Sequence, residues 1–530
     1  MSELIMRGEV IMKKYTSIKV IFLLFVMGLT ACLDDEGNYN YADLGNFYVD
    51  TVGIQHTYTI KQFSSFALTP KFIYDGDKSV LKYKWELYKS DEPYIGPSSY
   101  GTGYSHDYTR DDYPDYTIST ERELDVKIEA IPGAYYLVFT ATDTTSGLKT
   151  TMDWRLTVEG VIGSGLAVLY KNAGGSDIDI VYSPLFNGSL TETSYNRNAY
   201  STVNPTRPLT GEPKELVSAI YASYDLYYLY MTSGEDVVRL SSIDMSIADE
   251  FDGLFAGKIP AVKDLNGIFV RNYNTFFINN GVAYKANSGG LQLTPMAMKN
   301  DDYYAVAGNT TWQVNSLFYD GLHRRFIFSK MWSAEIDPVI NSAAHFDFGN
   351  VGKDLIHWSN GYWQSDNQIN YCFFKNPVDD GKRYMYVFVA DKSTASAYTS
   401  KCAMDISACP DIALAHSFAT GERGPVVFYA TDANVYRMNY NVDDATSSAT
   451  AVWTPAAGEV ITRIELFKNA GLNLENSTKD KYLLVATYSS TGKGKIYVIE
   501  SDISSGVLGA EPVAVYEFDG RIADFDFIAQ

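Results

Sequence analysis

Cysteine is scarce in this chain, with four in 530 residues: Cys32, Cys372, Cys402 and Cys409. Past Cys32 an odd number remains, so at most one disulfide can form; Cys402 and Cys409, flanking "AMDISA", are one option among three. Their spacing fits no zinc pattern and no histidine stands beside them. Histidine is equally sparse, with six scattered copies and no HExxH pair for a metalloprotease. A G-x-S-x-G nucleophile elbow and a P-loop lysine motif are both missing, which removes the commonest hydrolase and nucleotide signatures. Positive charge is in deficit. Forty-three basic residues face 64 acidic ones, a net charge of −21, so nucleic acid phosphates and anionic lipid are repelled.

What is abundant is aromatic surface: 14% of the chain, including 42 tyrosines. Such rings favour strands, and tyrosine also suits recognition surfaces because it joins a rigid apolar face to a polar tip. The length is too great for one core, so two or more domains are expected.

The N-terminus carries its own signal. Lys13, Lys14 and Lys19 precede "VIFLLFVMGLTA" (Val20 to Ala31), an apolar run of 12 residues that is too short for a stable span. Basic flank, short apolar core and small residues make residues 1–31 a secretory signal, for which Met12 is a suitable start. Its removal takes Arg7, Lys13, Lys14 and Lys19 against Glu3 and Glu9, leaving −23. "LTAC" resembles the lipobox of bacterial lipoproteins. In that family the cysteine thiol receives diacylglycerol and becomes the first mature residue, which here would be Cys32. Acyl chains are then the only cofactor-like group expected, and several of them hold a protein at a membrane far better than one. The following "LDDE" resembles the acidic surface-export tag of Bacteroidota lipoproteins, which implies an outer-membrane protein facing outward.

After an acidic tether at 32–42, residues 43–159 read as short alternating strands separated by turns: "SSFALTPKFIY", "LKYKWELYKS" around Trp85, then two runs joined by Thr-Thr-Ser-Gly. A mid-strand tryptophan, "PGAYYLVFTATD" and a final "WRLTV" predict an immunoglobulin-like β-sandwich, for which roughly 110 residues is the usual size. From 160 to 530 the texture becomes repeated hairpins, such as "PVVFYATDANVYRMNYN" and "YLLVATYSSTGKGKIYVIES". At roughly 45–50 residues per unit this rhythm predicts a β-propeller of seven blades, with six or eight as alternatives. "RIADFDFIAQ" at the end is placed to supply a strand to the first blade. The fold class is therefore all-β.

"CLDDEGNYNY", "ISTERELDVKIEAIPGAYYLVFTATDTTSGLKT", "GSGLAVLY" and "ITRIELFKNAG…KYLLVATYSSTGKGKIYVIESD" together resemble the PKD-like lipoprotein family of Bacteroidota. The likeness spans the mature chain, although "GSGLAVLY" lacks a tryptophan often found there. It implies association with a SusC/SusD-like transporter pair that takes up a nutrient glycan or peptide, and it assigns no chemistry.

"GVIGSGLAV" resembles a dinucleotide loop, but it leads into a strand, so no helix N-terminus would meet a phosphate. "TGKGK" falls in a hairpin turn, and Asp75-Gly76-Asp77 is a turn before it is a calcium site. A pair of glycosidase carboxylates needs a measured separation. Two aromatic groups remain. One is the long segment between the Trp85 strand and the next, with Tyr104, Tyr108 and Tyr113 among Gly, Ser and Asp. The other is "AHFDFGNVGKDLIHWSNGYWQSDNQ", with Trp358, Tyr362 and Trp363. Both can stack on sugars or grip a peptide, and both also suit packing, which is the heavier alternative for each. These six are the candidate ligand-binding residues. No catalytic or metal residue is assigned. The sequence reads as a non-enzymatic surface protein that binds an extracellular polymer for an uptake complex, with the sandwich as spacer or docking module. A propeller hydrolase or lyase is the rival, and it would be marked by a deep central pocket of carboxylates or histidines with perturbed proton affinity.

Overall fold

The computed structural model describes residues 46–50, 55–90, 116–130, 132–160 and 162–529, apart from 222–225, 272–273, 287–291, 312–314, 331–332, 340–344, 365–366, 391–397, 470 and 475–476. Cys32 and Tyr104, Tyr108 and Tyr113 lie outside these residues. The chain divides into two compact units. One is built from 1–60, 64–128 and 133–157, and the other chiefly from 158–530.

The first unit is a β-sandwich. A five-stranded sheet takes the order Thr57–Lys61, Lys149–Glu159, Gly133–Asp143, Leu81–Lys89, Thr117–Ser119, and two small sheets pair Ser65–Leu68 with Leu124–Lys127 and Phe47–Val49 with Phe72–Tyr74. The alternation that marked these segments is the reason: Lys149–Glu159 buries Thr150, Met152, Trp154, Leu156 and Val158 and turns its other residues outward. Trp85 is the centre of this core. Its ring is fully buried, 4.8 Å from Phe139 and stacked 5.6 Å from Trp154, while its Nε1 donates to the Glu121 carbonyl at 3.0 Å. The Thr-Thr-Ser-Gly turn is held by Asp143, which accepts from Ser146 Oγ (2.7 Å), Tyr74 OH (2.8 Å) and Thr145 N (2.7 Å). Those bonds, Ser146's foremost, lower the carboxyl to about 2.

The second unit is a β-propeller. Its described residues form seven sheets, six of four strands and one of five. Within each sheet the innermost strand is Arg521–Ile528 (sheet one), Pro213–Tyr221 (two), Leu265–Arg271 (three), Ala305–Thr311 (four), Asp354–Gln364 (five), Ser417–Thr420 (six) or Glu459–Leu466 (seven). These seven strands neighbour one another in a closed cycle. The cycle closes as the C-terminal sequence suggested: Arg521–Ile528 pairs antiparallel with Gly165–Asn172, so the last strand of the chain completes the first sheet. The core sits between sheets, in layers of Val, Ile, Leu and aromatic residues; Phe186, Phe467, Phe525 and Phe527, for example, fill the junction of sheets seven and one.

Several local readings from the sequence find their place. "GSGLAV" enters the strand Gly165–Asn172 directly, and "TGKGK" spans the turn between Tyr482–Ser489 and Gly494–Glu500. Asp77 accepts from Ser79 N and Oγ (2.9 and 2.7 Å), a turn rather than a cation loop. Cys372, Cys402 and Cys409 are all free, buried thiols; Cys402 and Cys409 share the core between sheets five and six without being bonded.

Candidate functional site

Two places in the propeller unit gather polar chemistry. The first is its axis, where the innermost strands alternate. In Glu459–Leu466, Ile464 and Leu466 enter the core between sheets six and seven while Arg463 and Glu465 point the other way, toward sheet one. In Arg521–Ile528, Phe525 and Phe527 pack back toward sheet seven while Asp524 and Asp526 point to sheet two.

The consequence is a set of bonds from each strand to the next. Arg463 Nε lies 2.9 Å from Asp524 Oδ1. Asp524 Oδ2 accepts from Leu216 N (2.9 Å), Asp526 Oδ2 from Ser218 N (2.7 Å), and Glu215 Oε2 from Ile268 N (3.2 Å). Phe269 of sheet three packs edge-on against Phe318 of sheet four, and its ring lies where a Cβ on Gly308 would fall. Asn309 Nδ2 donates to Asn360 Oδ1 (2.6 Å), Thr420 Oγ1 to the Asn360 carbonyl (2.8 Å), and Ile464 N to Ser417 Oγ (2.9 Å). Every neighbouring pair of inner strands is thus joined.

Burial shifts these groups together. It raises Glu215 and Asp524, raises Asp526 to about 7, and raises Glu465 to about 8 against the pull of Arg463. Burial also lowers His357 to about 3, helped by Arg463 and Lys468, so its ring is neutral. It stacks 5.3 Å from Phe418 and hydrogen-bonds Ser359. Carboxyls that keep a proton near neutrality are what an acid catalyst needs. The cavity at Glu465 and Asp526, walled by Phe467, Lys468, Phe525 and Phe527, is about 20 Å³, the room of roughly one water molecule.

The second place is an open cleft of about 560 Å³ at the rim. Sheet six provides its floor through Val435–Asn441, sheet five one wall through Ile369 and Tyr371, and sheet seven the other through Ser504, Ser505 and Val507. Tyr440 meets Tyr371 edge-on at 5.8 Å and their hydroxyls are hydrogen-bonded, which fixes both rings at the cleft. Asn439 and Ser504 are exposed beside them. The sequence announced this strand only as half of a hairpin, "NVYRMNYN". The alternation of Tyr, Arg, Asn and Tyr was the available signal, and it looks like any amphipathic strand.

The predicted aromatic residues are distributed differently. Trp358 is half-buried between sheets four and five, edge-on to Phe326 (5.5 Å) and Phe388 (6.1 Å), with Nε1 donating to Asn370 Oδ1 (3.1 Å). Tyr362 and Trp363 belong to the same strand, Asp354–Gln364, and their side chains fall outside the described residues. The structure does not bring Trp358 to the rim cleft. Among the described residues one group has metal-ligand geometry, Asp301, Asp302 and His323, all exposed. Arg325 already pairs with Asp301 (2.7 Å) and Asp320 (3.0 Å) beside it, so it is an ion-pair network.

Residues 32–213 match the model of the PKD-like family. The match covers the sandwich and runs through the first three strands of the propeller unit, which belong to its first sheet. The molecule is thus a PKD-like domain joined to a propeller-like one. No curated protein sequence matches the chain. Among solved structures it is similar to a quinonprotein alcohol dehydrogenase-like protein from Bacteroides thetaiotaomicron, with 12% identity, 91% of this chain and 97% of that one covered, and a TM-score of 0.42. It is also similar to dihydro-heme d1 dehydrogenase, at 11% identity, 72% of each chain and a TM-score of 0.37. The extracellular domain of a one-component system from B. thetaiotaomicron follows at 8% identity, 74% and 54% coverage, and a TM-score of 0.35. Likeness this distant transfers no function. Among the described residues no helix is long and apolar enough to cross a membrane.

Proposed function

We propose that the chain is a surface lipoprotein, anchored through acylated Cys32, that binds an extracellular glycan or peptide without cleaving it, as the accessory binding component of a SusC/SusD-like outer-membrane uptake system. The observation that carries the binding half is the contrast between the two polar places in the propeller. The axis spends its carboxylates on holding neighbouring strands, and the cavity beside Glu465 and Asp526 is about 20 Å³. The rim offers about 560 Å³ of open space in which tyrosine, amide and hydroxyl groups stand among aliphatic ones, the scale and mixed character of a site for one or two sugar rings. The anchoring half is supported by the leader and "LTAC", and the uptake role by the family resemblance.

The rival reading, a hydrolase or lyase, draws on the proton-holding Asp526 and Glu465. Whole chain purified in detergent and screened on glycan and peptide arrays, with product analysis of each retained ligand, separates the two. Retention of an intact ligand supports the proposal, and shortened or unsaturated products overturn it. Absence of a transporter pair on gentle purification from native membranes removes the uptake role while leaving binding in place.

A further inference from the structure

Arginine in this propeller is almost always spoken for. Arg197 pairs with Asp179 (2.6 Å), Arg207 with Asp236 (2.8 Å), Arg324 with Asp354 (2.7 Å), Arg325 with Asp320 (3.0 Å) and Arg463 with Asp524 (2.9 Å). A chain of net charge −21 has carboxylates to spare for this. Arg437 is different. It sits mid-strand in Val435–Asn441, lines the rim cleft and, among the described residues, has no ion pair; its Nε is buried without a hydrogen-bond partner, as are those of Arg239 and Arg463, which keep a carboxylate beside them. A guanidinium without a protein partner keeps outer donors that a ligand can fill.

The surroundings favour one kind of ligand. Gly506 lies beside the arginine stem, where an added Cβ would fall 3.3 Å from Arg437 Cδ. Asp502, in the same loop as Ser504 and Ser505, forms no ion pair with it. Its Oδ1 already takes Ser504 N (3.1 Å), Ser505 N (2.7 Å) and Ser505 Oγ (2.8 Å). A planar fork of fixed donors matches a carboxylate through two parallel bonds. Asn439 and Ser504 supply donors and acceptors of the type that pair with sugar hydroxyls.

We propose that the rim cleft binds an acidic glycan, a polymer containing uronic acid residues, with Arg437 holding the carboxylate of one sugar and Asn439 and Ser504 contacting its ring. A saccharide is favoured over an acidic peptide because the exposed polar groups at the cleft, Asn439, Ser504 and Ser505, are amide and hydroxyl, while Ile369, Val387, Val426 and Met438 are buried in its wall. This rests on the binding function proposed above and names its substrate class.

Calorimetric titration of the whole chain in detergent with oligogalacturonide, neutral oligogalactoside and poly-glutamate tests it. The expected result is oligogalacturonide binding that weakens as salt rises. It should fall about tenfold or more in Arg437→Ala and less in Arg437→Lys, which keeps the charge and loses the fork, with unchanged thermal unfolding in both. Oligogalacturonide bound equally by wild type and Arg437→Ala overturns the inference, as does poly-glutamate bound with the same dependence on Arg437. If only the neutral glycan binds, the acidic assignment fails and the binding function stands; if none of the array glycans or peptides binds, both fail.

Discussion

Arg463 Nε and Asp524 Oδ1 stand 2.9 Å apart across the junction where the last sheet of the propeller meets the first. Sixty-one positions of sequence separate them, and the strand carrying Asp524 is the one that closes the ring. Asp524 in turn accepts Leu216 N, so one carboxylate ties three successive sheets together. Removing Arg463 as Arg463→Met leaves a carboxylate of 3% exposure without its countercharge. Loss of a buried partner costs about 3–5 kcal/mol. Arg463 keeps 35% of its side chain accessible, so the expected loss is discounted to about 1–3 kcal/mol. A denaturation midpoint shifted downward with unchanged slope checks it.

The axial carboxyls also set a pH dependence. Asp526 is raised to about 7 and Glu465 to about 8 in the folded chain, whereas in an unfolded chain such groups titrate near about 4. The folded state therefore holds protons that the unfolded state has released. Stability from this pair is full below about pH 4 and is lost as pH rises through 7 and 8. Thermal unfolding of the propeller should accordingly fall between mildly acidic and mildly alkaline solution, and Asp526→Asn should flatten the fall. Asp143 in the sandwich works in the opposite sense: lowered to about 2, its contribution is lost only in strong acid. Melting curves read separately from the two units resolve the opposite slopes.

Gly308 tests the packing between sheets three and four. A Cβ at this position falls 2.4 Å from the Phe269 ring, which is itself stacked 5.0 Å from Phe276. Gly308→Ala should destabilise by about 1–3 kcal/mol through overpacking. Phe269→Leu in the same chain should recover part of that loss, a non-additivity that a double-mutant cycle measures.

Trp358 separates packing from recognition. Its contacts with Phe326, Phe388 and Asn370 predict that Trp358→Ala lowers stability by about 2–4 kcal/mol, a little below the range for fully buried rings because this one is half-buried. The affinity of the folded variant for any glycan that wild type retains should be unchanged. Chemical denaturation and a binding isotherm on the same sample report both.

How much of this was legible in the sequence depends on the range of the interaction. Trp85 and its alternating strand announced the sandwich because strand period and burial are local properties. The final strand could be placed because its pattern was that of a strand with no partner nearby in sequence. The axial network was not legible: Leu216 and Asp524 are 308 residues apart, and nothing in either hairpin says which carboxylate meets which amide. "DFDF" read as ordinary alternation, although its aspartates serve as ties between sheets. The rim cleft was hidden for another reason. An arginine without a partner is defined by what fails to surround it, and only the assembled sheets five, six and seven show that. Aromatic content drew attention to Trp358, but the same ring chemistry serves a core as well as a ligand.

Hydrogen–deuterium exchange, with and without a saturating glycan retained on the array, tests the central claim that recognition sits at the rim while the axis is scaffold. The account predicts slowed exchange confined to Val435–Asn441 and the Ser501–Val507 loop, with the strands carrying Glu465 and Asp526 unchanged. Protection centred on Glu459–Leu466 and Arg521–Ile528 instead, with the rim unaffected, would contradict it.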